Sequence, residues 1–255
     1  MIFSRIVYSS IALGIVAGLL LTVLQIAFLN PIMFAAERYE LETTRTAAQS
    51  DDGHSAHDHA HAHDEQTWTP ADGLQRTFYT LLANLFASTG FAAMLLALMC
   101  LSRLTSEGNI SWSQGSLWGL AGFTALFLAP AIGLPPEIPG MTAAALEHRQ
   151  IWWALCALSV VIGLGIFAFA PMRVKASGLL FLIIPYLVGA PQVDTPLFRH
   201  PDPSVVQTLV DLHRQFILGS VVANLVFWLV LGLACRFAFN RWLASIPITN
   251  DQNDA

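Results

Sequence analysis

Five histidines fall within ten residues: His54, His57, His59, His61 and His63, accompanied by Asp51, Asp52, Asp58 and Asp64. Neutral imidazole nitrogen and carboxylate oxygen are ligands for borderline divalent ions such as Co2+, Ni2+, Zn2+ and Cu2+. In an extended chain, alternate spacing sets His57, His59, His61 and His63 on one side, whereas helical spacing would pair His59 with His63. The intervening Ala, Asp and Ser residues specify neither geometry. The stretch reads as an arm that collects metal ions, and the plain alternative is a solvated linker whose histidines bind nothing.

Three other segments carry candidate ligands. Gly133-Leu-Pro-Pro-Glu137-Ile-Pro-Gly140 is a rigid turn presenting one carboxylate. Glu147-His148-Arg149-Gln150 precedes the pair Trp152-Trp153, and a third run extends from Asp194 through His200 and Asp202 to Asp211-x-His213. Metal sites draw His and Asp/Glu from separate segments, so Glu137, His148 and His213 are expected to share one mouth. The alternative makes Glu147, Arg149, Asp211 and Arg214 interface anchors and surface ion pairs.

The elements that position these residues are apolar. Of 255 residues, 55% are hydrophobic and 11% charged, where a soluble domain carries about a quarter charged. The net charge is −5, and Lys175 is the single lysine, so there is no basic patch to neutralise phosphates and nucleic-acid binding is excluded. The expected fold is all-α, a polytopic integral membrane helix bundle in the lipid bilayer. A span needs about 20 mostly apolar residues. Residues 6–29, 77–101, 115–134, 151–170 and 216–235 qualify, and 176–190, short and interrupted by Pro185, is expected to be a kinked sixth span. That gives about six transmembrane helices, or five if 176–190 does not cross. The first apolar run exceeds the 7–15 residues or so of a signal h-region, so it reads as an uncleaved helix. The whole chain, 1–255, reads as a single membrane domain, with 30–76 as a polar, partly disordered His-rich extracytoplasmic loop.

With the N-terminus inside, Arg5, Arg103, Arg173, Lys175, Arg236 and Arg241 fall on short cytoplasmic segments. Arg38, Arg45, Arg76, Arg149, Arg199 and Arg214 fall on longer outer ones. The higher inner density and the basic residues at both ends place both termini in the cytoplasm and require an even number of passes. Gly14/Gly18 and Gly115/Gly119 are small-xxx-small pairs that permit close helix packing. Cys100, Cys156 and Cys235 form no C-x-x-C and read as small apolar residues. No P-loop and no H-E-x-x-H motif occurs, so neither P-loop ATP hydrolysis nor the simplest membrane protease chemistry is available, and the chain is not expected to be an enzyme. No acid, base or histidine lies near the middle of any span; Gln25, Asn84, Ser88, Thr89, Thr124, Ser220 and Asn224 are the polar interior. Asn84 and Asn224 could offer amide oxygens to a passing ion, and interhelical hydrogen bonding accounts for them equally.

Ordered along the chain, these features resemble the CbtA family of proposed cobalt transporter subunits. The resemblance rests on Asn30-Pro31 and Ala36-Glu37-Arg38-Tyr39-Glu40, then Trp68-Thr-Pro-Ala-Asp72-Gly73 with Arg76-Thr77 and Asn84. It continues through the Gly133–Gly140 turn, Arg149-Gln150-Ile-Trp152-Trp153 and Gly189-Ala-Pro191. It implies a bacterial inner-membrane subunit supplying cobalt for cobalamin synthesis. It also implies a small CbtB-like partner with one span and its own histidine-rich end. The function expected is uptake of a divalent metal, Co2+ ahead of Ni2+ or Zn2+, with no permanently bound cofactor. The rival is a non-transporting metal-binding or scaffold subunit of a membrane transport complex; neither reading excludes an oligomer.

Overall fold

Lipid offers the backbone no hydrogen-bond partner, so an apolar chain of this composition must satisfy its peptide groups within helices. The computed structural model describes residues 2–50, 70–71, 73–102 and 108–244. The histidine run, Trp68, Asp72 and Arg103 lie outside the described residues.

Helix α1 (Ile2–Leu24) passes through a π turn (Gln25–Leu29) directly into α2 (Asn30–Ser50). The other helices are α3 (Leu74–Ser102), α4 (Trp112–Phe123), α5 (Ala129–Gly133), α6 (Leu146–Phe169), α7 (Lys175–Val188) and α8 (Pro203–Ala238). A π turn at Thr124–Leu128 joins α4 to α5, and another at Phe239–Leu243 closes α8. The first two π turns share a cause. Each stops one residue short of an X-Pro step, Asn30-Pro31 or Ala129-Pro130. Proline supplies no N–H and crowds the preceding turn; the wider π turn absorbs both defects without breaking the rod.

Among the described residues, five helices are long and apolar enough to cross a membrane: Ile2–Glu40, Leu74–Ser102, Trp112–Gly133, Leu146–Phe169 and Pro203–Leu243. The segment expected to be a kinked sixth span is shorter than that. Helix α7 has 14 residues, about 21 Å at 1.5 Å per residue against a hydrocarbon layer of about 30 Å. It nevertheless carries the chain back across the bundle. Gly178 of α7 meets Gly163 of α6, and the Pro185 carbonyl accepts a hydrogen bond from Trp152 Nε1 at 3.1 Å. The two helices are therefore antiparallel. Gly189, at φ 82°, ends α7 by donating its N–H to the same carbonyl.

Three antiparallel pairs build the bundle, each closed by glycine. Gly14 and Gly18 of α1 lie on Thr89 and Leu85 of α3; Gly115 and Gly119 of α4 face Arg236, Trp228 and Gly232 of α8; Gly163 faces Gly178. This accounts for the two glycine pairs read from the sequence, and Gly163/Gly178 adds a third contact. Arg5 donates from Nη1 to the Trp242 carbonyl at 2.8 Å, so the first and last described helices meet at one end, the terminal end. The opposite, distal end collects the close of α5, the start of α6, the close of α7 and the start of α8.

At the distal end the helices outrun the apolar windows that announce them. Ile2–Glu40 has 39 residues and Pro203–Leu243 has 41, each about 60 Å long at 1.5 Å per residue. The polar loop expected to begin at residue 30 therefore begins later, because 30–50 is helix and 74–76 belongs to α3. Packing explains the extension. Leu29, Ala36, Ile138, Phe198, Leu209 and Phe216 form a separate apolar core between α2, the proline turn, the 189–202 segment and the start of α8. Trp152 is buried against Gly133 and Pro185. Cys156 and Cys235 are buried free thiols, as their apolar reading requires.

A Cβ built on Gly232 would stand 2.6 Å from Gly115 O and Gly119 N. Gly232→Ala must therefore force α4 and α8 apart, costing about 1–3 kcal/mol and lowering the unfolding temperature by about 2–4 °C per kcal/mol. Gly165→Ala meets nothing within 4 Å and should leave thermal unfolding in detergent unchanged or slightly raised. Equal losses for both would contradict the glycine contact.

Candidate functional site

Chemistry-bearing side chains concentrate at the distal end. The proline turn places Glu137 beside Arg149 of α6 as an ion pair, with the Arg149 Nε buried. His213 of α8 is 8% exposed, its Nε2 3.0 Å from the Pro136 carbonyl and its ring edge-on to Phe198. A carbonyl only accepts, so Nε2 carries a hydrogen, and Nδ1 is the ring nitrogen left outside that bond. An isolated bridge between Met141 and Phe198, with Thr142 N–H donating to Leu197 O at 2.8 Å, ties the two loops together. Asp202 caps α8 through the Ser204 N–H at 2.8 Å. A side-chain hydrogen bond from Ser204, together with that backbone bond, stabilises the charged form and holds the Asp202 carboxyl below the usual carboxylate range.

The structure thus gathers Glu137, His148 and His213 at one end without making them a cluster. Glu137 is held by Arg149, His213 by Pro136, and His148 is exposed on the first turn of α6. Among the described residues, no three His, Cys, Asp or Glu side chains stand together as a metal site. Of the anchors weighed against metal binding, Arg149 is an ion-pair partner and Arg214 lies 3.9 Å from Asp211 on an exposed turn. His54, His57, His59, His61 and His63 belong to 51–69, outside the described residues. The helices that lead into and out of that segment, α2 and α3, meet at the distal end through Glu37 and Arg76.

That pair is the feature residue-type reasoning passed over. Arg76 Nη2 lies 2.6 Å from Glu37 Oε1 and Nη1 3.1 Å from Oε2, a bidentate grip of the stronger kind. The guanidinium also sits 5.1 Å from the Phe34 ring centre. Beside it lies a cavity of about 220 Å³ between the α1/α2 rod and α3, lined by Ile26, Asn30, Phe34, Gly73, Arg76 and Thr80 among others. A second hollow of about 350 Å³ lies between the proline turn and α6, beside Glu137, Arg149 and Trp153.

One turn inward from Thr80, Asn84 Nδ2 donates to Thr22 Oγ1 at 3.0 Å and to Gln25 Oε1 at 2.7 Å. A further turn inward, Ser88 is fully buried and its Oγ has no partner. Arg76, Thr80, Asn84 and Ser88 recur every four residues, so they form one slowly winding polar stripe on α3. That period was visible in the sequence. Reading Asn84 and Ser88 singly, as isolated polar residues in an apolar span, concealed it. Asn224, the other amide considered for an ion, donates to the Ser220 carbonyl of its own helix at 2.9 Å.

The family described as "Probable cobalt transporter subunit (CbtA)" matches residues 3–240, nearly the whole chain. The chain belongs to the CbtA family. It is accordingly a membrane subunit of a cobalt transport system, as its resemblance implied, and the apolar helices make it multi-pass. No curated protein and no solved structure matches it. The matched span holds the Glu37–Arg76 and Glu137–Arg149 pairs, His213 and the α3 stripe.

Interhelical hydrogen bonds within lipid contribute about 0.6 kcal/mol on average and up to about 1.7. Asn84→Leu removes two such bonds and should lower unfolding stability in detergent by roughly 1–2 kcal/mol. A variant as stable as the parent would show that the amide does not clamp α1 to α3.

Proposed function

We propose that this CbtA-family chain is the membrane subunit through which a divalent transition-metal ion, cobalt before nickel or zinc, enters a bacterial cell for cobalamin synthesis. The observation that carries this reading is membership of a cobalt transporter family across residues 3–240, in a chain whose sequence holds five histidines within ten residues. In this reading the bundle lies in the inner membrane with both termini cytoplasmic. His54, His57, His59, His61 and His63 raise the local ion concentration at the outer face by weak, exchangeable coordination. Glu137, His148 and His213 receive the ion next, His213 through the Nδ1 that its bond to Pro136 leaves available. A small CbtB-like subunit with one span completes the complex.

The membrane potential favours inward movement by about 2.3 kcal/mol per charge per 100 mV, hence about 4.6 kcal/mol for a divalent ion. No nucleotide site is needed for that drive. The apolar middle of the spans favours one rival, a subunit that binds metal or organises a transporter without conducting. Proteoliposomes holding the purified chain separate the two: a carrier accumulates Co2+, whereas a scaffold binds it without flux.

Uptake of radiolabelled Co2+ by cells expressing the chain with its partner subunit tests the reading. Deleting residues 54–63 should raise the half-saturating Co2+ concentration several-fold and leave the maximal rate within about twofold, since collection matters least when ions are plentiful; in free energy that is about 1 kcal/mol. Equal loss at every concentration would put the segment in the obligatory path. Absence of Co2+-dependent uptake by the parent chain would overturn import itself.

A further inference from the structure

We infer that the cavity between the α1/α2 rod and α3 is the entry vestibule of the ion path, and that the Glu37–Arg76 pair is its gate, the guanidinium holding the carboxylate until a divalent cation displaces it. The inference rests on the import reading above and goes further by naming a gate, a vestibule and the α3 residues below them.

Four observations lead to it. The cavity adjoins the ion pair: Arg76 both lines it and grips Glu37. Each partner keeps between a quarter and a third of its side-chain surface exposed, 29% for Arg76 and 27% for Glu37, so an ion arriving from the distal side can reach the carboxylate. Oxygen donors continue inward. Asn30, Thr77 and Thr80 line the space, Asn84 and Gln25 stand one turn below, and Ser88 follows with a buried, unpartnered hydroxyl. Pro31 also lines the cavity; lacking an N–H, it removes the donor that a carbonyl in the preceding π turn would otherwise meet.

Carboxylate, amide, hydroxyl and backbone oxygens suit a hydrated dication, which exchanges waters for them stepwise. An empty vestibule with a bare carboxylate would admit any monovalent cation. Arg76 prevents this, because an ion must outcompete a bidentate guanidinium. A dication has twice the charge and can do so where Na+ or K+ cannot. Displacement is reversible and moves no proton or electron. Arg76 then swings away from the carboxylate, toward the face of Phe34 that it already approaches.

The test uses the full chain with its partner subunit in cells, radiolabelled Co2+ as the probe, and rates normalised to the chain in the membrane. Glu37→Gln should raise the half-saturating Co2+ concentration about tenfold. Arg76→Gln, which uncovers the carboxylate, should lower it several-fold and make uptake sensitive to competing Na+. Arg76→Lys keeps a cation but loses the bidentate grip, so it should shift the value in the same direction by a smaller factor; it also serves if Arg76→Gln fails to accumulate. A merely structural pair predicts that losing either partner impairs the protein alike. Shifts of the same sign in the Glu37 and Arg76 variants, or none, with a transporting parent would overturn the gate. A parent that takes up no Co2+ would instead overturn the import reading on which it rests.

Discussion

Contact between helix backbones at glycine sets the positions of everything else in this bundle. In lipid there is no hydrophobic gain in pairing two apolar helices, so association depends on close van der Waals packing and a few polar bonds. Gly14 and Gly18, Gly119 and Gly232, and Gly163 and Gly178 each allow such an approach. The first contact seats α1 on α3 in the register that brings Asn84 to Thr22 and Gln25. The third compensates for a helix too short to span alone. The short α7 gains its place from α6 and fixes it by the bond from Trp152 to Pro185. The terminal end is locked in turn by Arg5 on Trp242 and by Arg236 stacked on Trp112 at 4.0 Å.

Much of this was legible in the residues. Windows of apolar composition located five spans because lipid admits little else, and spacing of four marked Gly14/Gly18 and Gly115/Gly119. What the windows could not give was length beyond the lipid. Helices α2 and the start of α8 contain Glu37, Arg38, Asp211 and Arg214, so composition reads them as loop. Their helicity comes from a tertiary core around Ala36, Phe198 and Leu209 that no local pattern reveals. The π turns were equally hidden, although the prolines responsible, Pro31 and Pro130, stand plainly in the sequence.

The candidate site divides along the same line. Residue type pointed to Glu137, His148 and His213, and the fold does bring them to one end. It also gives Glu137 to Arg149 and His213 to Pro136, pairings between segments 12 and 77 residues apart that spacing cannot encode. Glu37 and Arg76, 39 residues apart, appeared in the sequence as polar-loop residues and in two separate stretches that carry the CbtA resemblance. Their pairing beside a cavity, with Thr80, Asn84 and Ser88 descending from it, emerges only when α2 continues straight out of α1. The π turn at Gln25–Leu29 absorbs the defects of Pro31, so α1 runs unbroken into α2 and reaches α3.

In the proposed orientation both termini lie on the cytoplasmic side, and the distal end, with its ion pairs and the entry to the histidine segment, faces the exterior. Paired reporters that fluoresce only in the cytoplasm or act only outside it, inserted at residue 60 and fused at both ends of the chain, measure this directly. The account predicts cytoplasmic signals from both termini and an exterior signal from residue 60. Termini on opposite sides, or residue 60 in the cytoplasm, would contradict it.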